Sequence, residues 1–152
     1  MAYTTDSDLQ KIEADIFTYG IETAGTWHDE TADDINRMLH LEWFPKASKD
    51  YISGDYQTID FRDFDPDRIK NPEKITKMAA YWLLGNYFFP ALSKFSDPPD
   101  TYERKAEFYM KQYEQEKILT LGTGIDYDFS GDGELDDSER ISQRGPRMAI
   151  RG

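Results

Sequence analysis

Apolar side chains recur along this chain at steps of three to five residues, with polar side chains between them. That period is typical of one face of an α-helix, whereas a strand needs a period of two. The longest series predicts a helix over 14–45, with Gly20 or Gly25 as the place for a kink and Pro45 as its end. The series consists of Ile16, Gly20, Ala24, Trp27, Thr31, Ile35, Met38 and Trp43.

A short first helix and a long central helix are also indicated. Ser7 and Asp8 are suitable N-cap residues for a helix over 8–13. A proline at the first position opens another helix over 72–93, whose apolar residues nearly encircle it. Such a helix is buried, and Pro90 is expected to kink its last turn. Its inner face is predicted to hold Ile75, Met78, Ala79, Trp82, Leu83 and Phe89.

The last predicted helix begins at Asp100, which is expected to cap it, with Glu103 as the capping-box partner. Helical spacing continues to about Leu121, and the glycines that follow are expected to end the helix. The repeated face is formed by Tyr102, Ala106, Tyr109, Tyr113 and Lys117.

These elements predict an all-α fold, a small helical bundle of about four helices. Residues 46–64 lose the helical period and contain β-prone side chains, so we expect a loop or a short hairpin insertion there. We expect a helical domain over 1–121. An extended tail over 122–152 is then expected to carry an acidic, EF-hand-like loop and a basic end.

The composition predicts a thin core that is rich in aromatic rings. Only 38% of the residues are apolar, but there are 9 Phe, 10 Tyr and 3 Trp. Each buried ring removes about 150–250 Å² from water, so these residues compensate for the low apolar fraction. Proteins of this kind often complete their burial against a partner.

The formal net charge of −12 disfavours binding to DNA or to anionic membranes. It suits a surface that DNA slides past, although acidity that serves only solubility explains it as well. The longest apolar stretch, Met78–Leu92, is too short to span a bilayer. With no signal peptide at the N-terminus, synthesis in a cytoplasm is expected. The absence of cysteine excludes disulfides and zinc–thiolate sites.

Residues 128–139 match the twelve-residue EF-hand calcium loop position by position. Gly133 stands at position 6, where the sharp turn requires a residue without Cβ, and Leu135 is the apolar anchor. Oxygen donors without nitrogen or sulfur favour calcium, in a structural role. The predicted ligands are Asp128, Ser130, Asp132, Glu134 (through its backbone carbonyl), Asp136 (through water) and Glu139.

The surroundings of this loop differ from those of a paired EF-hand. The incoming side, Gly122–Ile125, is expected to be non-helical, and Gly145-Pro146 follows the outgoing side closely. Without lever helices and a second loop, a sensor-like opening is not expected. We therefore predict a staple that orders the C-terminal tail. The simpler alternative is a solvated acidic turn in which Gly133 only reverses the chain.

No pattern in the sequence indicates catalysis. His28 and His40 are twelve residues apart, without metal-ligand spacing, and are expected to be structural or surface residues. Asp33 and Asp34 are neighbours on a helix and point to different faces, so they do not form an acid/base pair. Nucleophile elbows and phosphate-binding glycine loops are absent. We therefore predict a protein that is not an enzyme.

Four arginines in the tail are spaced by 4, 3 and 4 residues, a stripe if the segment were helical: Arg140, Arg144, Arg147 and Arg151. Gly145-Pro146 argues against one unbroken helix. Two interpretations stay open, a disordered tail that is merely soluble and an arm that docks onto an acidic partner surface.

Three segments carry a resemblance to a known family. The first is residues 14–39, "ADIFTYGIETAGTWHDETADDINRML", followed by "LEWF", and the other two are "ITKMAAYWLLGNYFFPALSKF" and "TYERKAEFYMKQYEQEKI". In this layout the chain resembles the head-to-tail connector (adaptor, head completion) proteins of tailed bacteriophages: the first segment is similar to their start, and the other two look like the helix pair that completes their bundle. The similarity covers about residues 7–121 and rests on patterns rather than invariant residues. The calcium loop and residues 46–64 do not map onto the family.

The resemblance implies a structural virion protein of the phage neck, made in the host cytoplasm. Its copies would form a homo-oligomeric ring, usually a dodecamer, beneath the portal protein. The ring would extend the DNA channel without binding DNA specifically and would carry a stopper or tail-completion protein. In the family the C-terminal segment often contacts the portal, which would give Arg140, Arg144, Arg147 and Arg151 a role. The alternative function is a stand-alone calcium-binding protein, a monomer stabilised by calcium.

Overall fold

The structure, a computed structural model, describes residues 2–48, 64–94, 98–123 and 125–129. These ranges are mostly helical and contain no strand, which confirms the all-α class and the number of helical segments. The predicted hairpin insertion lies almost wholly outside them. The four segments are α1 (Asp6–Ile12); α2 (Trp27–Met38) with a π-helical turn (Leu39–Trp43) and α3 (44–48); α4 (Thr76–Leu83) with a π-helical turn (Leu84–Phe88) and α5 (Phe89–Leu92); and α6 (Thr101–Thr123).

The first helix begins two residues earlier than predicted. Thr5 is the N-cap, and its side chain accepts a hydrogen bond from the N–H of Asp8 at 3.3 Å. The carboxylate of Asp8 accepts in return from the N–H of Thr5 at 2.9 Å. Because this reciprocal capping box satisfies two free backbone donors, the start at Ser7 and Asp8 was wrong.

The predicted single helix over 14–45 is wrong at both of its ends. Gly20 (φ 120°) and Gly25 (φ 52°) adopt backbone angles that side chains with a Cβ rarely take. They therefore interrupt the helix rather than kink it. Between residue 14 and Trp27, where α2 begins, the helical structure is limited to the short 3-10 turn Ile16–Thr18. The buried positions of the predicted face were nonetheless well chosen, since Ile16, Ala24, Thr31, Ile35, Met38 and Trp43 are all buried.

Pro45 does not end its helix, because a π-helical turn precedes it. The N–H of Phe44 donates to the carbonyl of Leu39, five residues back, so the backbone is wider than in an α-helix. A proline in an α-helix clashes with the carbonyl four residues back, and the wider turn relieves that clash. Helical residues continue to 48.

The same arrangement occurs before Pro90, where the N–H of Phe89 donates to the carbonyl of Leu84. Both segments read Leu, three residues, an aromatic residue, Phe and Pro. Sequence analysis did not detect this short repeat. Pro90 was expected to distort its helix, and the distortion lies in the turn before the proline.

Two compact units are formed by alternating stretches of the chain. Unit 1 comprises Met1–Asp33 and Ile75–Lys117, and unit 2 comprises Asp34–Lys74 and Ile118–Gly152. The predicted division at residue 121 stays a prediction. The core of unit 1 contains Leu9, Ile16, Ala24, Ala80, Leu83, Leu84, Phe88, Phe89, Ala106 and Tyr109. The buried apolar residues of unit 2 include Ile35, Leu39, Trp43, Phe44, Ile69, Ile125, Tyr127 and Phe129.

The inner faces of the later helices agree with prediction. Asp100 accepts a hydrogen bond from the N–H of Glu103 at 2.7 Å, as an N-cap does. Every predicted inner residue of the central helix is buried except Trp82, which is half-buried. On α6 the residues Ala106, Tyr109 and Tyr113 are buried. No helix in the described part of the chain has the length and hydropathy needed to cross a bilayer.

Candidate functional site: the anchored start of the acidic loop

The structure describes the first residue of the predicted calcium loop, Asp128, together with the segment that leads into it. The other five predicted ligands, Ser130, Asp132, Glu134, Asp136 and Glu139, lie outside the described residues. The four tail arginines, Arg140, Arg144, Arg147 and Arg151, lie outside them as well. Among the described residues no three acids, histidines or cysteines are grouped as a metal site would require.

The incoming side of the loop is partly helical, contrary to prediction. Helix α6 runs to Thr123, so Gly122 and Thr123 belong to it. Glycine costs only about 1 kcal/mol in a helix, and a final turn tolerates that cost. Ile125 is non-helical, as predicted.

Residues 125–129 are fixed by backbone hydrogen bonds to the segment around Ile69. Ile69 and Tyr127 form an isolated antiparallel bridge. The N–H of Lys70 donates to the carbonyl of Asp126, and the N–H of Asp128 donates to the carbonyl of Arg68, both at 2.9 Å. These bonds hold the backbone on both sides of Tyr127.

A side-chain bond secures the same connection. The side-chain oxygen of Asn71 accepts from the N–H of Asp126 at 2.8 Å. Asn71 is buried, so a water molecule does not readily replace this bond. This bond was not predicted, since nothing in the sequence around Asn71 indicates a partner 55 residues away.

The residues on either side of Asp128 belong to a group of five neighbouring rings, which we call the aromatic cluster. Its members are Trp43, Phe44, Phe64, Tyr127 and Phe129. The ring of Tyr127 lies 5.3 Å from that of Phe44 and 4.7 Å from that of Phe129. It also lies 5.9 Å from Trp43 and 5.8 Å from Phe64, between ring centroids. Rings at such separations attract each other beyond their burial alone.

The hydroxyl of Tyr127 is satisfied inside unit 2. It accepts a hydrogen bond from the N–H of Asp65 at 2.9 Å. Burial raises the pKa of Tyr127, and this hydrogen bond lowers it by a smaller amount. Tyr127 therefore stays neutral and fixed at neutral pH.

Asp128 itself is 3% exposed, a low value for a carboxylate. It is the first position of the acidic sequence motif, and its backbone N–H is already bound. The arrangement can present one oxygen ligand from a fixed backbone. The Phe129 carbonyl is within 3.5 Å of an Arg68 side-chain nitrogen, at the limit of hydrogen bonding.

A second polar cluster, in unit 1, was not found from the sequence. One oxygen of Glu13, Oε1, accepts from Lys105 Nζ and from the hydroxyl of Tyr109 at 2.7 Å. Lys105 Nζ also lies 5.7 Å from the Tyr19 ring and 5.5 Å from the Phe89 ring, as in a cation–π contact. The second oxygen of Glu13, Oε2, is buried with no partner in the described chain.

These contacts raise the pKa of two tyrosines. Burial and the hydrogen bond to Glu13 raise the pKa of Tyr109 far above its ordinary value. Burial and the charge of Glu13 also raise the pKa of Tyr19.

A cavity of about 530 Å³ next to Lys105 is lined by Tyr19, Leu92, Lys94, Asp100, Thr101, Tyr102 and Lys105. Lys105 already contacts the rings of Tyr19 and Phe89 and the carboxylate of Glu13. The polar cluster therefore acts as a structural contact.

His28 joins the chain's beginning to α2. Its Nε2 lies 2.7 Å from an oxygen of Asp6, and its Nδ1 lies 2.7 Å from the hydroxyl of Thr4. Burial alone would raise the pKa of Asp6, but hydrogen bonds from Thr23 and His28 lower it below its usual value. Thr4 is 3% exposed, so its hydroxyl cannot meet a substrate from solvent. The prediction of a structural histidine fits this geometry.

No protein-family model, curated protein or solved structure matches the chain.

Proposed function

We propose that the protein is a structural subunit of a tailed-phage neck. Its copies would form an adaptor ring, of twelve subunits in the family it resembles, between the portal and a stopper or tail-completion protein. The residues that support this proposal are those of the family-like pattern over 7–121. A subunit of this kind binds partners and turns over no substrate.

The observation that carries the proposal is the exposure of large apolar side chains on α6. Phe108 is 53%, Ile118 is 73% and Leu119 is 61% exposed. Single exposed apolar residues are ordinary, but three on one helix favour coverage by another chain. We propose that neighbouring copies in the ring cover them.

The charge and the tail supply the other contacts of the proposed ring. A net charge of −12 suits a channel wall past which DNA moves without adhering. The stripe of arginines after Glu139 is the proposed portal-binding arm. Because exposed charge pairs weaken with salt, this docking should also weaken as salt increases.

Native mass spectrometry of the protein mixed with a portal ring tests the assembly. We expect a complex of defined stoichiometry that Ile118→Glu disrupts. Gln115→Glu is the matched control, since it adds the same charge at an exposed polar position of the same helix. Assembly that is equally weakened by both variants, or a protein that stays monomeric with the portal, contradicts the proposal.

Truncation after Glu139 tests the arm separately. We expect weaker binding to the portal and an unchanged helical circular-dichroism spectrum. Unchanged portal binding would remove the arm from the proposal and leave the ring.

A second candidate function, binding of a divalent cation by residues 128–139, is supported by the fixed and buried position of Asp128. Asp132, Asp136 and Glu139 would supply further oxygen ligands, a set suited to calcium. Bound calcium would offset part of the negative charge of these acids. Isothermal titration calorimetry should detect binding that Glu139→Gln abolishes, and no heat at millimolar calcium would end this candidate.

A further inference from the structure

We infer that two copies of this chain pair through the exposed face of α6, with the two helices antiparallel, when the protein is not bound to another partner. This inference goes beyond the proposed neck function and does not depend on it. Its basis is a row of exposed charged residues on α6 whose signs alternate, which we call the charged row: Arg104, Glu107, Lys111 and Glu114.

The charged row lies on one side of the helix. Its spacing of 3, 4 and 3 residues keeps the four side chains in line along an α-helix, on the side away from the buried Tyr109. All four belong to the part of α6 that lies in unit 1. Among the described residues, none of the four has an ion-pair partner, since the salt bridges there join other side chains. The exposed face therefore offers unpaired charges of both signs.

The order of the signs makes the charged row complementary to itself when the two helices run in opposite directions. About a two-fold axis at the level of residue 109, Arg104 faces Glu114 of the second copy. The same axis places Glu107 opposite Lys111 of the second copy. Each contact occurs twice, so four ion pairs form. In a parallel pair, either in register or shifted by seven residues, like charges would face each other.

An exposed aromatic ring lies beside the charged row at the centre of the pair. Phe108 is 53% exposed and is one residue from the level of the axis. A two-fold axis perpendicular to both helices keeps each residue on its own flank, so the two copies of Phe108 are about 3 Å apart along the helix direction. Their rings can therefore pack on each other, which would remove this apolar surface from water.

The contact is expected to be weak and reversible. One stretch of helix on each side buries less surface than the total of about 1,200–2,000 Å² that is typical of stable complexes. Exposed ion pairs contribute little each and are screened by salt. We therefore expect a dimer that forms at high protein concentration and low salt. Because a two-fold contact closes after two copies, it would also compete with the head-to-tail contacts that a ring needs.

Charge reversal of the row tests the pairing. Glu107→Lys with Glu114→Lys makes the row entirely positive. Arg104→Glu with Lys111→Glu makes it entirely negative. We expect analytical ultracentrifugation at low salt to show a dimer for the unmodified chain, and self-association that is weaker on the order of a hundredfold in each double variant. An equal mixture of the two double variants should restore the dimer, because all four contacts then join opposite charges.

Two further variants separate the pairing from a general effect of charge. Glu22→Lys with Asp33→Lys makes the same change in net charge as the positive row, but at exposed acids outside α6, and should leave the dimer unchanged. Phe108→Ala should weaken the dimer about tenfold, as the loss of a central interface ring does. All these positions are exposed, so every variant should keep the helical circular-dichroism spectrum of the unmodified chain.

Spin labels on an introduced cysteine test the direction of pairing, since the chain has no cysteine of its own. In the antiparallel pair residue 101 faces residue 117, so labels on Thr101→Cys in the two copies should lie about 24 Å apart along the helices. A parallel pair would hold the same labels about 10 Å apart. Pulsed electron paramagnetic resonance measures this distance.

These measurements use the protein without a portal, so they test the pairing separately from the proposed neck function. A chain that stays monomeric at about 1 mM and low salt overturns the inference. A dimer that either charge-reversed variant retains overturns it as well, and so do labels about 10 Å apart. A failed portal assay would leave the pairing untouched.

Discussion

The two proline-containing helical segments have one local design and two different surroundings. Each has a π-helical turn followed by Phe and Pro, and Phe44 in unit 2 corresponds to Phe89 in unit 1. Phe89 is surrounded by rings from an early turn and from α6, including Tyr19 (6.3 Å) and Tyr109 (5.6 Å). Phe44 instead meets rings from non-helical segments, including Phe64 and Tyr127, both at 5.3 Å.

The comparison shows that the π-helical turn is determined by residues close together in the sequence, whereas the core around it is determined by residues far apart in the sequence. The turn depends on a few consecutive residues, since it recurs with the same short pattern. The neighbours of its phenylalanine come from distant segments that nothing in the turn specifies. A proline in a helical pattern is therefore compatible with continuation when the wider turn precedes it.

The largest expected effect is that of removing either phenylalanine ring. Phe89→Ala and Phe44→Ala should each lower the free energy of unfolding by about 3–5 kcal/mol, because each leaves a cavity among several rings. Urea denaturation measures the change. Gln115→Ala, at an exposed polar position of α6, is the control and should alter stability by less than about 0.5 kcal/mol. A small loss at only one of the buried positions would show that the two turns are not equivalent.

The next largest loss of stability is expected at the residue that follows the first leucine of each π-helical turn, where the two turns differ. This position is Gly85 in unit 1, where an added Cβ would lie 2.7 Å from Met110 Sδ. Gly85→Ala should therefore cost about 1–3 kcal/mol through overpacking. The equivalent His40 stacks on Phe64 at 5.7 Å, and His40→Ala should cost less. Thermal unfolding measures both, and Met110→Ala should restore most of the loss caused by Gly85→Ala.

Alkaline pH should weaken unit 1 through Tyr109. The pKa of Tyr109 is raised in the folded protein, so its contribution is complete below the unfolded value of about 10 and is lost as pH rises above it. For one such group the loss approaches about 1.4 kcal/mol per pH unit. Urea denaturation between pH 8 and 10.5 should show a smaller loss in Tyr109→Phe. An identical pH dependence would contradict the assignment.

The smallest effects are expected from the prolines themselves. Pro45→Ala and Pro90→Ala should each change stability by less than about 1 kcal/mol. Alanine favours the helix, whereas proline restricts the unfolded chain, and the two effects oppose each other. Thermal unfolding measures the change. A gain near 3 kcal/mol from either substitution would mean that the π-helical turn does not accommodate the proline.

Sequence patterns were sufficient for the helical class and for most buried positions. Helix α6 follows regular apolar spacing and Asp100 has the local sequence of a cap, so α6 was predicted with nearly correct ends. The central helix was predicted to start at residue 72, but Pro72–Lys74 form a 3-10 turn and α4 begins at Thr76. The spacing around Gly20 and Gly25 imitated a helix because the buried residues there face one core from a non-helical path. Periodicity alone does not distinguish these cases.

The polar contacts between distant segments were beyond sequence reasoning. Glu13 meets Tyr109 across 96 residues, and Asn71 meets Asp126 across 55. No local pattern encodes such a pairing, since it depends on how distant segments come together. The acidic motif was recognisable because its predicted ligands lie within twelve residues of sequence, but the anchoring of Asp128 through Arg68 and the aromatic cluster was not.

The return of residues 125–129 to the segment around Ile69 has a consequence for synthesis. Trp43, Phe44 and Phe64 emerge from the ribosome early, yet Tyr127, which lies against all three, is translated more than sixty residues after Phe64. Until then the faces of these rings that Tyr127 covers are open to solvent or to chaperones. A nascent chain stalled before Ile125 is therefore the form of this protein most prone to aggregate.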